Sequence, residues 1–163
     1  MGENRDSEGH DPALERLADA VESELGFEMV VVNLFRPETD DYVAVVLRGP
    51  DELREALGGQ TLSRESWMAL FDGRFERFGA FIIPEGEGDW GDAAVYEPEA
   101  DLGEGENRWR KGDALFVPIR CSAGAILGII SLDAPRQGQR PTDRQLLKLL
   151  AIAAQAGQAL EPE

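Results

Sequence analysis

The residue types from which metal sites, disulfides and catalytic triads are built are scarce in this chain. It holds one cysteine, Cys121, and one histidine, His10, in 163 residues. A single cysteine excludes an internal disulfide and fits a reducing compartment. Haem and transition metals draw on clusters of His and Cys. His10 lies in the polar opening stretch and Cys121 beside a turn, with no partner near either in sequence. The same shortage excludes a Ser-His-Asp or Cys-His triad from the ordered part of the chain. Cys121 reads as structural or incidental, and redox sensing through its thiol is the alternative.

Positive charge is scarce as well. Sixteen Lys and Arg stand against 32 Asp and Glu, a net charge of −16. Phosphate recognition needs cations, and the few here are scattered, so nucleic acid and anionic membranes are not expected partners. No apolar run approaches the roughly 20 residues that span a bilayer. The opening MGENRDSEGHD lacks the basic start and apolar run of a signal peptide. The expectation is a cytoplasmic, acidic protein.

What is present is enough apolar material, 42% of residues, for one core. Residues 1–10 read as a mobile tail and 11–161 as a single domain. Asp11-Pro12 starts a helix whose stripe is Leu14, Leu17, Ala18, Val21 and Leu25, and Gly26 ends it. The run 27–35 (FEMVVVNLF) is apolar on both alternating faces, so it predicts a central strand buried on both sides. Residues 42–47 complete a hairpin with it. Short helices follow at 51–57 and after Ser63, a helix cap. Residues 77–83 predict a third strand. Residues 84–108 are acidic, Gly-rich and aperiodic, with a short helix near 93–96 as an option; a loop of this length inside a domain is functional or disordered. Residues 113–120 and 125–133 form a second hairpin, in which Pro118 must sit at a bulge or an edge-facing position. Thr142 and Gln145 form a capping-box pair for the last helix, which runs to about Leu160. The result is an α+β fold with a mainly antiparallel sheet of five to six strands.

Residues 86–91 (GEGDWG) match the dinucleotide fingerprint literally, but Glu85, Glu87, Asp89 and Asp92 surround them with negative charge and no amphipathic helix follows, so phosphate binding is rejected. The loop also lacks the spacing of a Ca²⁺ site. Asp113 and Asp133, at strand ends, read as structural carboxylates, Asp133 as a turn former.

The aromatic residues carry more information. Trp67, Phe71, Phe75, Phe78, Phe81, Trp90, Tyr96 and Trp109 gather in the segment joining the hairpins. Trp67, Phe71, Phe78 and Phe81 read first as core, and Trp90 and Trp109, beside the irregular loop, as pocket lining. The small-molecule pocket is assigned to Trp67, Phe71, Phe81, Trp90, Tyr96 and Trp109. On the last helix, Leu146, Leu149, Leu150, Ala153, Gly157 and Leu160 form one stripe, and Leu147, Ala151, Ala154 and Ile152 widen it beyond the arc a single packed face needs. Either packing within the chain or a second copy covers the excess. A homodimer interface is assigned to Leu14, Leu17 and Val21 on the first helix and Leu147, Ala151 and Ala154 on the last.

The segments 112–119 (GDALFVPI), 127–135 (LGIISLDAP) and 146–160, preceded by a helix and 26–35 (GFEMVVVNLF), resemble in combination the GAF domains of bacterial signalling proteins, over about residues 12–160. The resemblance implies a GAF-like (profilin-like) sheet with the terminal helices on one face and loops and short helices on the other. It further implies a non-catalytic sensor or regulatory module in signal transduction, a homodimer through terminal helices, a small-molecule ligand, and an output domain or signalling protein as partner. The chain departs from the marked subtypes. It lacks the N-K-x-F-x-D-E motif of cyclic-nucleotide binders, a Cys-His pair for a bilin, an ordered His for haem, and the several cysteines of the methionine sulfoxide reductase subtype. The cofactor is therefore unknown, with no haem, bilin or metal pattern. The alternatives are a structural dimerisation or protein-interaction module without ligand, and a redox sensor through Cys121.

Overall fold

The computed structural model describes residues 12–88, 90 and 105–160. The tail at 1–10 and the helix option at 93–96 lie outside the described residues. Seven antiparallel strands form one sheet in the order β3-β2-β1-β7-β6-β5-β4. They are β1 (Phe27–Arg36), β2 (Asp41–Arg48), β3 (Thr61–Ser63), β4 (Glu76–Arg77), β5 (Ala80–Ile83), β6 (Ala114–Arg120) and β7 (Ile126–Pro135). The helices are α1 (Pro12–Ala20, continued by a π-helical turn to Leu25), α2 (Asp51–Leu57), α3 (Arg64–Leu70) and α4 (Asp143–Leu160).

The sequence pattern explains this layout. β1 lies at the centre, paired with both β2 and β7, and is buried from Met29 through Asn33. Side chains alternate across a strand. Val30 and Val32 join Leu115, Val117, Ile130 and Leu132 in the larger core, under α1 and α4. Met29 and Val31 face the other way, with Ala44, against Leu53 of α2. On that second face Trp67 and Leu70 of α3 pack on Tyr42, Phe116 and Ile129. The two hairpins thus merge into one sheet, with the terminal helices on one side and the short helices on the other.

The ends of the elements follow their local chemistry. Gly26 closes the first helical segment in the left-handed region, at φ 75°, where glycine carries no Cβ penalty. Ser63 Oγ accepts the Ser66 amide at the start of α3. Thr142 Oγ1 accepts the Gln145 amide while Gln145 Oε1 accepts the Thr142 amide, a complete capping box. Pro118 sits in β6 opposite Ile129 of β7, beyond the stretch of β6 that pairs with β5, so its missing N–H removes no ladder bond there. Arg48 of β2 bridges to Glu15, Asp19 and Glu22 at 2.6, 2.9 and 2.7 Å and ties the sheet to the first helical segment. Burial works against the charged guanidinium, but the hydrogen bonds to those three carboxylates outweigh it and hold its pKa above the ordinary value.

Three expectations are corrected. The single strand expected at 77–83 is a two-strand hairpin, because Arg77 pairs with Ala80 across a Phe78-Gly79 turn with both residues at positive φ, 60° and 108°. Phe78, expected in the core, is consequently at the hairpin tip and 55% exposed. The sheet also gains the short outer strands β3 and β4, which makes seven strands where five to six were expected.

Candidate functional site

A cavity of about 130 Å³ lies between the sheet and the two short helices. Its floor is Met29, Val31 and Asn33 of β1, Tyr42 and Ala44 of β2, Phe116 of β6 and Ser131 of β7. Its roof is Leu53 and Leu57 of α2 and Trp67 and Leu70 of α3, with Trp90 and Lys111 at the loop side. The alternation that places Val30 and Val32 in the opposite core is what exposes Met29, Val31 and Asn33 to this space. The walls are mainly aliphatic and aromatic with a few polar groups, the composition of small-molecule pockets.

Each polar group of the floor is fixed by the sheet. Asn33, buried in the middle of β1, donates through Nδ2 to the Ile129 carbonyl at 3.1 Å and to Ser131 Oγ at 3.2 Å. Tyr42 donates its hydroxyl to the Ile126 carbonyl at 2.8 Å, and burial holds its pKa above the ordinary tyrosine value. The roof contains the exception. Trp67 is 7% exposed, and among the described residues its Nε1–H has no hydrogen-bond partner. Leaving a buried donor unsatisfied costs about 1–3 kcal/mol.

The carboxylates near the cavity are structural. The Asp113 side chain is fully buried and pairs with Arg140 through two bonds, from Nε at 2.9 Å and Nη2 at 3.0 Å. It also accepts the Glu85 and Arg110 amides at 2.9 and 2.8 Å. One carboxylate therefore holds both flanks of the irregular stretch. Asp133 accepts the Trp109 indole at 2.6 Å and the Ala134 amide at 2.7 Å. Among the described residues no group of His, Cys, Asp and Glu is arranged to hold a metal ion.

The six residues assigned to the pocket from sequence separate in the structure. Trp67 and Trp90 line the cavity, and both stand edge-on to Phe116, at 5.1 and 5.9 Å between ring centroids. Phe71 and Phe81 do not line it; they stack on each other at 4.5 Å and 7° beside Trp67. Trp109 is fully buried in the larger core, held by Asp133 and by Phe27 edge-on at 6.1 Å. Tyr96 lies outside the described residues. Sequence reasoning missed Asn33, Tyr42, Ser131 and the aliphatic wall. A lone amide within the apolar run of β1 was the available signal for Asn33.

The residues assigned to a dimer interface also separate. Leu14, Leu17 and Val21 are buried in the chain's own larger core, at 0, 3 and 0% exposure, which corrects their assignment. Their stripe faces α4 and the sheet and leaves no apolar face for a partner. Leu147, Ala151 and Ala154 are exposed on α4. Among the described residues, Leu147 and Phe78 are the two large hydrophobic side chains that stand exposed, at 53 and 55%. They flank one patch, since Leu150, one turn after Leu147, lies against Gly79.

No family model matches the sequence, and no curated protein does. Solved structures do match in fold. The GAF domain/HD domain protein from Geobacter sulfurreducens is 12% identical over 90% of this chain and 88% of its own, with a TM-score of 0.63. The GAF domain of a two-component sensor histidine kinase from Bacillus halodurans is 16% identical over 90% of each chain, with a TM-score of 0.54. Free methionine-R-sulfoxide reductase from Neisseria meningitidis, solved in complex with its substrate, is 15% identical over 87% of this chain and 74% of its own, with a TM-score of 0.51. At such identities the likeness establishes the fold: an α+β GAF-domain architecture.

Proposed function

We propose that this chain is a non-catalytic sensor module of bacterial signal transduction, which takes up a small molecule between its sheet and α2–α3 and relays occupancy through helices paired in a homodimer. The observation that carries the reading is the walled, largely apolar cavity of about 130 Å³, in a fold shared with structures named as parts of a sensor histidine kinase and of a methyl-accepting chemotaxis protein. The reductase with this fold keeps an enzymatic reading in view. Against it stand a single cysteine in the chain and the position of Cys121 in the β6–β7 turn, outside the cavity wall.

The surface that serves pairing is the α4 stripe of Leu147, Ala151 and Ala154 with Phe78 at its edge, and its occupant is a second copy. The stripe carries both bulky and small residues, so it complements itself about a two-fold axis. After Asp143, α4 has no carboxylate, whereas the chain as a whole carries −16. Two such acidic molecules meet with least repulsion on this face. Ligand binding shifts the pairing only if the two helix arrangements differ in affinity for the ligand.

One observation favours the second reading, a dimerisation scaffold without ligand: Phe71 and Phe81 stack beside Trp67 and fill the neighbouring space with the protein's own rings. A thermal-shift screen of small metabolites against wild type and Ala44→Leu separates the two. Under the sensor reading some compounds raise the wild-type Tm, and the larger side chain on the cavity floor removes that response. A flat response in wild type across the screen supports the scaffold.

A further inference from the structure

We infer that two copies of this chain pair with their α4 helices antiparallel, with Ala151 at the two-fold axis and Phe78 of each copy seated on the C-terminal half of the partner's α4. The inference rests on the homodimer reading and specifies how the copies meet. Exposed on the first half of α4 are Arg144, Leu147 and Lys148, and on the second half Ala154, Gln155 and Gln158, with Ala151 exposed between them. These positions are symmetric about 151. A two-fold axis there sets Leu147 against the partner's Gln155, Lys148 against the partner's Ala154 and Arg144 against the partner's Gln158. Bulky side chains then meet smaller or flexible ones, and Ala151 at the crossing lets the helices approach closely. In a parallel pair Leu147 would meet its own copy at one end and Ala154 its own copy at the other. That arrangement splays the helices and leaves the small end unfilled, against the close packing of protein contacts.

Charge selects the same orientation. Arg144 and Lys148 lie in the first two turns of α4, where the helix dipole opposes a cation, and the last turn holds no basic residue. An antiparallel partner reverses this mismatch. Each Arg144 then lies over the last turn of the other α4, whose unpaired carbonyls carry partial negative charge. Seven residues on either side of Ala151 keep the two Arg144 side chains about 21 Å apart along the axis, beyond the screening length of about 10 Å at 0.1 M salt. A parallel pair would set them opposite each other at the spacing of packed helices, about 8–10 Å. Within each chain Glu24 offsets Lys148 at 3.1 Å and Arg77 engages Asp143 at 2.7 Å, so Arg144 decides the orientation. Phe78 is the anchor. Its φ of 60° is costly for a bulky side chain, yet the ring stands 55% exposed. Its contact with the Arg77 guanidinium at 5.9 Å is weak at an exposed site. Leu150 lies against Gly79, so the hairpin tip flanks the Leu147 end of α4, where an antiparallel partner lays its small residues. An aromatic seated on small neighbours is the kind of residue that dominates interface energetics.

The test uses the full chain with its single cysteine removed by Cys121→Ser. Leu147→Cys and Gln155→Cys are added to separate samples, which are mixed, oxidised and resolved on non-reducing gels, with the linked peptides identified by mass spectrometry. The inference expects 147–155 links to form in preference to 147–147 and 155–155 links. Light scattering of wild type reads the subunit number independently. Phe78→Asn supplies a second measurement, because asparagine tolerates the left-handed region. It is expected to raise the dimer dissociation constant about tenfold, the effect of losing one interface anchor. The urea midpoint of the diluted monomer is expected to hold or rise. A monomeric wild type overturns the inference and the homodimer reading together. A dimer in which 147–147 or 155–155 links predominate, or in which Phe78→Asn dissociates no more readily than wild type, overturns the inference alone. A dimer that forms none of these links pairs through another surface, and the inference falls with the assignment of the α4 face.

Discussion

Asp113 shows how much one side chain carries in this fold. Its buried carboxylate receives four hydrogen bonds, two from Arg140 and one each from the Glu85 and Arg110 amides. Asp113→Asn leaves one acceptor oxygen and turns an amide N–H₂ toward the guanidinium. Breaking a buried pair costs about 3–5 kcal/mol, and Arg140, 29% exposed, recovers some solvation, so a loss near 3 kcal/mol is expected in urea denaturation. Tyr42 predicts an alkaline limit. Burial raises its folded pKa above that of the unfolded chain, so its contribution to stability is complete below about pH 10 and is lost as pH rises through the folded value. Tyr42→Phe is therefore expected to lose less stability than wild type between about pH 9 and pH 11, as read from denaturant midpoints. At this scale the sequence was only partly legible. Trp90 was legible as cavity lining because a large aromatic beside an irregular loop is conspicuous, whereas Trp67, on α3, read first as core and lines the cavity all the same. Trp109, of the same kind and equally close to that loop, belongs to the core because a carboxylate 24 positions away satisfies its indole. That partner is set by tertiary packing and leaves no trace in local sequence.

Among the elements, α4 is the most informative. Gly157 lies in its interior, where glycine is disfavoured by about 1 kcal/mol relative to alanine. By propensity alone Gly157→Ala would stabilise the protein. The structure gives the opposite sign, because a Cβ at 157 would overlap the Arg120 carbonyl oxygen of β6. Overpacking of this kind costs about 1–3 kcal/mol, so the variant is expected to melt below wild type in thermal denaturation. The outer face of α4 makes a separate prediction. Leu147→Glu places a charge on an exposed stripe, leaves the core untouched, and is expected to convert a dimer to a monomer in light scattering at unchanged Tm. Elements were the most legible level of the sequence. The buried run of β1, the capping box of Thr142 and Gln145, and the hairpin around Ser122–Gly124 each follow from a local rule. The hairpin at Phe78-Gly79 was missed because Phe is no turn former, and only the pairing of Arg77 with Ala80 places it there.

Viewed whole, the molecule has two faces with different tasks. One side of the sheet is closed by α1 and α4 over a continuous apolar core. The other, under α2 and α3, is divided between two smaller clusters with the cavity along them. β1 belongs to both sides, with Val30 and Val32 on the first and Met29 and Val31 on the second, so under the proposed sensor function it is the element that would link an occupied cavity to the terminal helices. The overall architecture was legible because hairpins and terminal helices leave strong periodic patterns. The cavity was not, because its floor comes from residues of four strands whose convergence depends on register. Native mass spectrometry of the protein purified from its own host tests this account most directly, since it reads subunit number and bound small molecules in one spectrum. The account predicts a dimer carrying a small-molecule adduct that Ala44→Leu loses. A monomer that carries no adduct would contradict it.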